Sequence, residues 1–354
     1  MLMGAELLLM KGNEAIGEAA VRGGCRHFFG YPITPQSEVL EYLARRLPEV
    51  GGAYVQAESE VSAINMVFGA AAAGARVMTA SSSPGISLMQ EGISYIAAAQ
   101  LPAVLVNIMR GSPGLGGIQP SQADYFQSTK GGGHGDYRLI VLAPSSVQEM
   151  IDHTVMAFKL AEKYCTPVMV FADGMMGQMM EPVVLPEIET SVSAKPWATT
   201  GMQGRGPNLI HTLHLPPDEL EAHCHHLFEK YRQIADQEKQ GLEYFTEDAE
   251  ILVVAYGIVS RVARAAVEQA RESGIKAGLF RPVTLWPYPD TALLKASLSA
   301  KKVLVVEVSM GQMVEDVRLT LNGKLPVEFY GRIGQVPTPG EILERIKQMA
   351  AEVV

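Results

Sequence analysis

Cysteine is scarce in this chain. There are three in 354 residues, Cys25, Cys165 and Cys224, widely spaced and none in a C-x-x-C pair. The chain therefore cannot ligate an iron–sulfur cluster alone, and sparse, odd-numbered thiols fit a reducing cytoplasm. Long apolar runs are missing as well; none approaches the ~20 residues of a membrane span. The N-terminal stretch Met1 to Lys11 has an apolar patch, Leu7 to Met10, but neither a basic start nor a small-residue cleavage site, so no signal peptide is expected. An excess of basic residues is also absent. A net charge of −9 argues against a general nucleic-acid binder, which needs cationic surface to displace counterions.

What remains is a globular composition, 47% hydrophobic and 19% charged. Length suggests two domains at ~150 residues each, and the chain can bury substantial cores. Eighteen methionines against 7% aromatics point to cores and contact surfaces filled by flexible side chains.

From Gly12 to Pro186, short apolar strands alternate with amphipathic helices. Strands are expected at His27–Tyr31, Ala53–Gln56, Arg76–Ala80, Ala103–Met109, Leu139–Leu142 and Val168–Ala172, with helices at Asn13–Gly23, Val61–Ala73, Ile86–Ala99 and Val147–Lys163. Such alternation predicts an α/β fold with a mainly parallel, doubly covered sheet. Residues 187–249 read as a connector with a long helix from Pro217 to Gln240. A second α/β unit follows over 250–354, with strands at Ile251–Tyr256, Lys276–Phe280, Lys302–Val308 and Val327–Tyr330.

The most informative segment is Tyr31-Pro32-Ile33-Thr34-Pro35, followed by Gln56-Ala57-Glu58-Ser59-Glu60. Two prolines flanking a hydroxyl at the end of a buried strand present Thr34 at the sheet's carboxyl edge, where open α/β sheets bind ligands. One strand later a carboxylate stands where strand gives way to helix. Thr34 reads equally as a stiff loop residue, and Glu60 as a first-turn acid favoured by the helix dipole, with Glu58 competing for the role. Arg110, at the end of the Ala103–Met109 strand, is either a surface arginine or a bidentate carboxylate ligand.

The stretch from Arg110 to Arg138 breaks the alternation with glycines at 111, 114, 116, 117, 131, 132, 133 and 135. It lacks the G-x-x-x-x-G-K-[ST] order of a phosphate loop and reads better as a flexible lid over a ligand. His134 within it reads as a solvated loop histidine. His211, His214, His223, His225 and His226 with Cys224 have no repeated ligand spacing and read as a polar helix face, not a metal site.

Taken in order, Gly12-Asn13-Glu14-Ala15, Tyr31 to Pro35, Glu58-Ser59-Glu60, Pro84-Gly85-Ile86-Ser87-Leu88-Met89, Met109-Arg110, Arg281-Pro282-Val283-Thr284-Leu285-Trp286-Pro287 and Glu307-Val308-Ser309-Met310-Gly311-Gln312 resemble the alpha subunit of 2-oxoacid:ferredoxin oxidoreductases. The loop Gly114 to Gln122 with Lys130 to Asp136 is most similar to the branched-chain, 2-oxoisovalerate branch. One departure is Ser83, where the family commonly has glycine; a slightly different loop backbone is expected there.

The resemblance implies a thiamine diphosphate pyrimidine-binding domain over 1–186 and a transketolase C-terminal-like domain over 250–354. Thiamine diphosphate would be shared with a beta subunit that holds the diphosphate and Mg²⁺, since no G-D-G motif occurs here and Asp173-Gly174 follows Ala172. It implies [4Fe-4S] clusters on partner subunits, coenzyme A as cosubstrate, gamma and ferredoxin-like delta subunits, and ferredoxin as acceptor, with no nucleic acid and no membrane span. Glu60 would be catalytic, hydrogen-bonded to the aminopyrimidine. Tyr31 and Ile33 would also line the cofactor. Thr34 and Arg110 would hold the substrate carboxylate. Pyruvate or 2-oxoglutarate as substrate, or a non-catalytic scaffold that keeps the fold, are the alternatives.

Overall fold

The computed structural model describes residues 7–190 and 193–352. The first six residues of the stretch considered above for a leader lie outside them, as do 191–192 and 353–354. In the first unit the chain runs β1 (Leu7–Lys11), α1 (Gly12–Arg22), β2 (His27–Gly30), α2 (Ser37–Glu49), β3 (Ala53–Gln56), α3 (Glu60–Ala72), β4 (Val77–Ser81), α4 (Ser83–Ala98) and β5 (Ala103–Met109). It continues through α5 (Tyr125–Thr129), β6 (Ile140–Leu142), α6 (Val147–Tyr164), β7 (Pro167–Asp173), α7 (Gly174–Gln178) and β8 (Met180–Val184). Then come α8 (Pro217–Gln237), β9 (Gly241–Tyr244), β10 (Ile251–Val254), α9 (Gly257–Glu272), β11 (Ala277–Pro282), β12 (Thr284–Trp286), α10 (Asp290–Ala296), β13 (Lys302–Glu307), α11 (Met313–Leu321), β14 (Val327–Gly331) and α12 (Pro339–Ala351).

Two mainly parallel sheets organise these elements, beside a separate antiparallel pair of β1 and β8. The larger has seven strands in the order β12-β6-β7-β5-β4-β2-β3, and the smaller five in the order β14-β13-β10-β11-β9. Strand β5 shows why the large sheet is covered on both faces. Its residues alternate between two separate cores, with Val104, Val106 and Ile108 in one and Ala103, Leu105 and Met109 in the other, all buried. Period-two alternation between two apolar layers is what a central parallel strand requires. Both cores continue into the second unit, through Val253 and Ala255 on one side and Leu252 and Val254 on the other.

Two features cross the linear segments. The connector read as 187–249 contributes β9, which pairs antiparallel with β11 and closes the small sheet. Strand β12, from the Arg281–Pro287 stretch of the second unit, pairs antiparallel with β6 and forms an edge of the large sheet. Arg281, buried in β11 just before this crossing, donates from Nη1 to Glu149 Oε1 of α6 at 2.9 Å, and its Nη2 bonds the other carboxylate oxygen. Burial pushes the Glu149 carboxyl up, but Arg281's hydrogen bonds and charge outweigh it and hold the carboxyl below its usual range.

Candidate active site

Strands β3, β2, β4 and β5 are neighbours in the large sheet and run parallel, so their carboxyl ends open onto one edge. Each delivers one polar group. The chain leaves β2 at Gly30 and reaches Thr34 through Tyr31, Pro32 and Ile33, with a cis Thr34–Pro35 bond. Tyr31 and Thr34 are exposed and Ile33 is half-buried. The segment is fixed from beneath by Asn13 of α1, whose buried amide donates to Pro35 O at 2.7 Å and to Glu38 Oε2 at 2.8 Å. Gly12 keeps α1 close, because a Cβ there would strike the Met176 carbonyl and Met150.

Strand β3 delivers Glu60. Ser59 caps α3 by accepting from Ser62 N at 3.2 Å, which makes Glu60 the first helical residue. Its side chain is buried, whereas Glu58 is exposed. Among the described residues its hydrogen-bond partner is Ser81, whose Oγ donates to Glu60 Oε1 at 3.4 Å. Ser81 ends β4. The first turn of α4 then lies flush against the carboxyl, since a Cβ on Gly85 would collide with both Ser81 Oγ and the Glu60 carboxylate. The glycine of the Pro84-Gly85 motif is thus required by a side chain approaching from another helix.

Strand β5 delivers Arg110. Its backbone N–H donates to Ser83 Oγ at 3.1 Å. The departure at position 83 therefore adds a tie between two strand ends. Ser83 is the first residue of α4 and has no positive φ, so it takes a serine without backbone strain. The Arg110 side chain is buried, at 7% exposure. Nη1 donates to Thr34 O at 2.9 Å and Nη2 to Leu115 O at 3.1 Å, while Nε is buried without a partner. Thr34 and Arg110 are in direct contact and share this edge with Glu60.

The stretch from 110 to 138 is only partly the lid expected from its glycines. Residues 121–130 are sewn to the second unit. Gln122 N donates to Val308 O at 2.8 Å, Gln122 Nε2 to Tyr256 O at 3.0 Å, and Val308 N to Gln122 Oε1 at 2.9 Å. Gln312 bonds Phe126 N and Ala123 O, and Tyr125 OH donates to Asp316 at 2.6 Å. Lys130 forms an ion pair with Asp316. Residues 111–119 and 131–136 are the exposed parts. The Glu307–Gln312 motif is also accounted for: Glu307 accepts from Gln312 N, Met313 N and Val314 N, capping α11.

Sequence reasoning missed Ser81, Asn107 and Asp124. Asn107 donates to Asp124 Oδ2 at 2.9 Å inside the protein, and burial pushes the Asp124 carboxyl above its usual range, against hydrogen bonds from Ser83 and Asn107. An asparagine in the middle of a seven-residue buried strand was the available signal. The histidines lie elsewhere. His214 stacks on His223 with ring centroids 4.5 Å apart, and His211 packs beside His214, along a cavity of about 470 Å³ with Trp197. Among the described residues no group of three or more His, Cys, Asp or Glu side chains could hold a metal ion, and no helix is long and apolar enough to cross a membrane.

Asp173, of the Asp-Gly pair, has a structural role. Its carboxylate caps α7, accepting from Met175 N at 2.9 Å and Met176 N at 3.2 Å. Burial raises its pKa to about 6, against those two hydrogen bonds. The folded state thus holds this proton more tightly than the unfolded chain, so Asp173 opposes folding increasingly as pH rises from about 4 to about 6. Asp173→Asn keeps the accepting oxygen and loses the titration. Between pH 4 and 6.5 the wild type is expected to lose ~2 kcal/mol relative to this variant. Paired denaturation series across that range test this; parallel curves would refute it.

Two family descriptions match the chain: "Pyruvate flavodoxin/ferredoxin oxidoreductase, thiamine diP-bdg" over residues 18–239 and "Pyruvate:ferredoxin oxidoreductase core domain II" over residues 249–342. The chain is 51% identical over 348 residues to the ketoisovalerate oxidoreductase subunit VorB of Methanothermobacter thermautotrophicus, covering 97% of this chain and 98% of that one. It is 40% identical to the 2-oxoglutarate synthase subunit KorA of the same organism, covering 97% and 99%. Among solved structures, the 2-oxoglutarate:ferredoxin oxidoreductase from Magnetococcus marinus, with 2-oxoglutarate, coenzyme A and succinyl-CoA bound, superposes with a TM-score of 0.88 at 30% identity. That match covers 97% of this chain and 65% of the other. A split-gene transketolase shares the fold, with a TM-score of 0.61 at 13% identity.

Proposed function

From the premise that this chain belongs to the 2-oxoacid:ferredoxin oxidoreductases, we propose that it is the subunit of a branched-chain member that binds the pyrimidine half of thiamine diphosphate and the 2-oxo acid. The assembled enzyme would convert 2-oxoisovalerate, coenzyme A and oxidised ferredoxin to the acyl-CoA, CO₂ and reduced ferredoxin. The observation that carries this reading is the meeting of Thr34, Glu60 and Arg110 at neighbouring strand ends, with the Glu60 carboxyl buried and bonded only to the Ser81 hydroxyl among the described residues. A buried carboxyl with bonding capacity to spare fits a heterocyclic ring nitrogen, and the exposed Tyr31 and half-buried Ile33 stand on the segment next to it. Domain limits of 1–186, 187–249 and 250–354 go with this reading, β9 and β12 being exchanged across them. Diphosphate and Mg²⁺ are assigned to a beta subunit, and [4Fe-4S] clusters to further partner chains, gamma and delta, in the cytoplasm.

Thiamine diphosphate, when bound, supplies the nucleophilic carbon that adds to the 2-oxo group and the electron sink for loss of CO₂. The residues of this chain would hold the pyrimidine half and the 2-oxo acid. Glu60 would hold the pyrimidine ring nitrogen through a shared proton, the contact that favours the reactive tautomer. Arg110 receives the substrate carboxylate, and Thr34 lies alongside. The preference for an apolar substrate side chain rests on the loop's relatives and on Lys130. Its ammonium is already paired with Asp316, so it is not free for the distal carboxylate of 2-oxoglutarate.

The test is acyl-CoA formation by the complete complex with 2-oxoisovalerate, pyruvate and 2-oxoglutarate. A higher kcat/KM for 2-oxoisovalerate is expected; a clear preference for 2-oxoglutarate overturns the substrate while leaving the thiamine chemistry. Arg110→Ala is expected to lower kcat/KM for 2-oxo acids by about 10–150-fold, the worth of a charge-assisted contact of ~1.5–3 kcal/mol. Thr34→Ala should give a smaller loss, because its carbonyl contact to Arg110 survives.

A further inference from the structure

The loop from Gly111 to Gln119 is a brace that holds the plane in which the Arg110 guanidinium meets the substrate. This we infer from its closure and from the contacts of the guanidinium; it rests on the reading of Arg110 as the carboxylate ligand. The loop is closed on itself by Gly111 N donating to Gln119 O at 2.8 Å and Gly117 N donating to Gly111 O at 3.0 Å. That closure turns the Leu115 carbonyl onto Arg110 Nη2, while Thr34 O takes Nη1. A guanidinium has five N–H donors. The two carbonyls each occupy one terminal nitrogen, and Nε–H is left buried and unpartnered. A buried donor of a charged group without an acceptor is costly unless a ligand completes it. The hydrogens left for a carboxylate are Nε–H and the second hydrogen of each terminal nitrogen, enough for a forked contact. The two carbonyls fix the plane of the fork before the substrate arrives.

Gly116 is the positioning residue that makes the brace possible. Its φ of +61° is one that L side chains rarely adopt, and a Cβ would strike the Gly111 carbonyl and Ser112 Cα, the backbone that accepts the closing bond. Gly117, one residue on, has no positive φ and open space where a Cβ would stand, so it serves as the control. Leu115 itself is 82% exposed, so its carbonyl, and not burial of its side chain, ties it to the protein.

The experiment uses the complete complex with 2-oxoisovalerate and coenzyme A, comparing Gly116→Ala, Gly117→Ala and Arg110→Ala. Gly116→Ala is expected to raise KM for 2-oxoisovalerate by roughly tenfold or more, as misplaced binding groups do, with KM for coenzyme A unchanged and subunits still co-purifying. Gly117→Ala should match the wild type. If Arg110→Ala raises the KM for 2-oxoisovalerate but Gly116→Ala does not, the brace is refuted and the carboxylate site stands. If Arg110→Ala itself leaves that KM alone, the reading of the site falls first, and the brace with it. A Gly116→Ala complex that fails to assemble, or whose two KM values move together, overturns the positioning role in favour of a general structural one.

Discussion

Glu60→Gln should abolish nearly all turnover of the assembled complex while leaving assembly intact. The expected loss is about 10²–10⁴-fold, the usual contribution of a positioned acid–base group. Glutamine has the same shape, so it still fits between Ser81 and Gly85, where there is no spare volume. It has no carboxyl proton to share with a ring nitrogen. The matched control is Glu58→Gln, two residues earlier on the exposed side of the same turn, which should retain near-normal kcat. Single-substrate kinetics on both variants decide between the two carboxylates, and the reverse outcome would transfer the role to Glu58. A drop in both variants with loss of co-purifying chains would point to assembly instead.

The second large effect concerns the join between the two units. Glu149→Ala leaves the Arg281 guanidinium buried without its carboxylate, and breaking such a pair from one side costs about 3–5 kcal/mol. Glu149 also accepts from Ser145 N at 2.8 Å, so the start of α6 loses a partner at the same time. Replacing both partners, Glu149→Leu with Arg281→Met, should recover part of the loss, because no buried charge then remains. Denaturant midpoints of the single and double variants measure this. Additive losses would show that the charge itself is not what matters at this join. His153 adjoins the pair and burial lowers its pKa to about 4. It stays neutral near pH 7 and adds no competing charge.

The architecture was readable because buried parallel strands are short apolar runs with sharp ends. Ala103–Met109 and Ala53–Gln56 match residue for residue. Helix α2 (Ser37–Glu49) was not anticipated, because its charged residues and Pro48 dilute its apolar stripe of Val39, Leu40, Leu43 and Leu47. Strand β12 is three residues long and finds its partner in the other unit, so no local pattern announces it. The same division holds in the site. Thr34, Glu60 and Arg110 were visible as polar residues at apolar strand ends. What touches them was not: Ser81 reaches Glu60, and the Leu115 carbonyl reaches Arg110, only after the sheet order is set. The glycine-rich stretch looked uniformly mobile because side chains such as Gln122 and Gln312, which tie half of it down, carry no signature in sequence.

The strand that the second unit lends to the first sheet has a mechanical consequence. With β12 zipped to β6, Arg281 locked on Glu149, and Gln122 bonded to both Tyr256 and Val308, the described parts of the two halves are tied at three places. The chain behaves as one jaw. Within this chain the two units therefore move together and not against each other, so widening the strand-end edge by separating them is closed off.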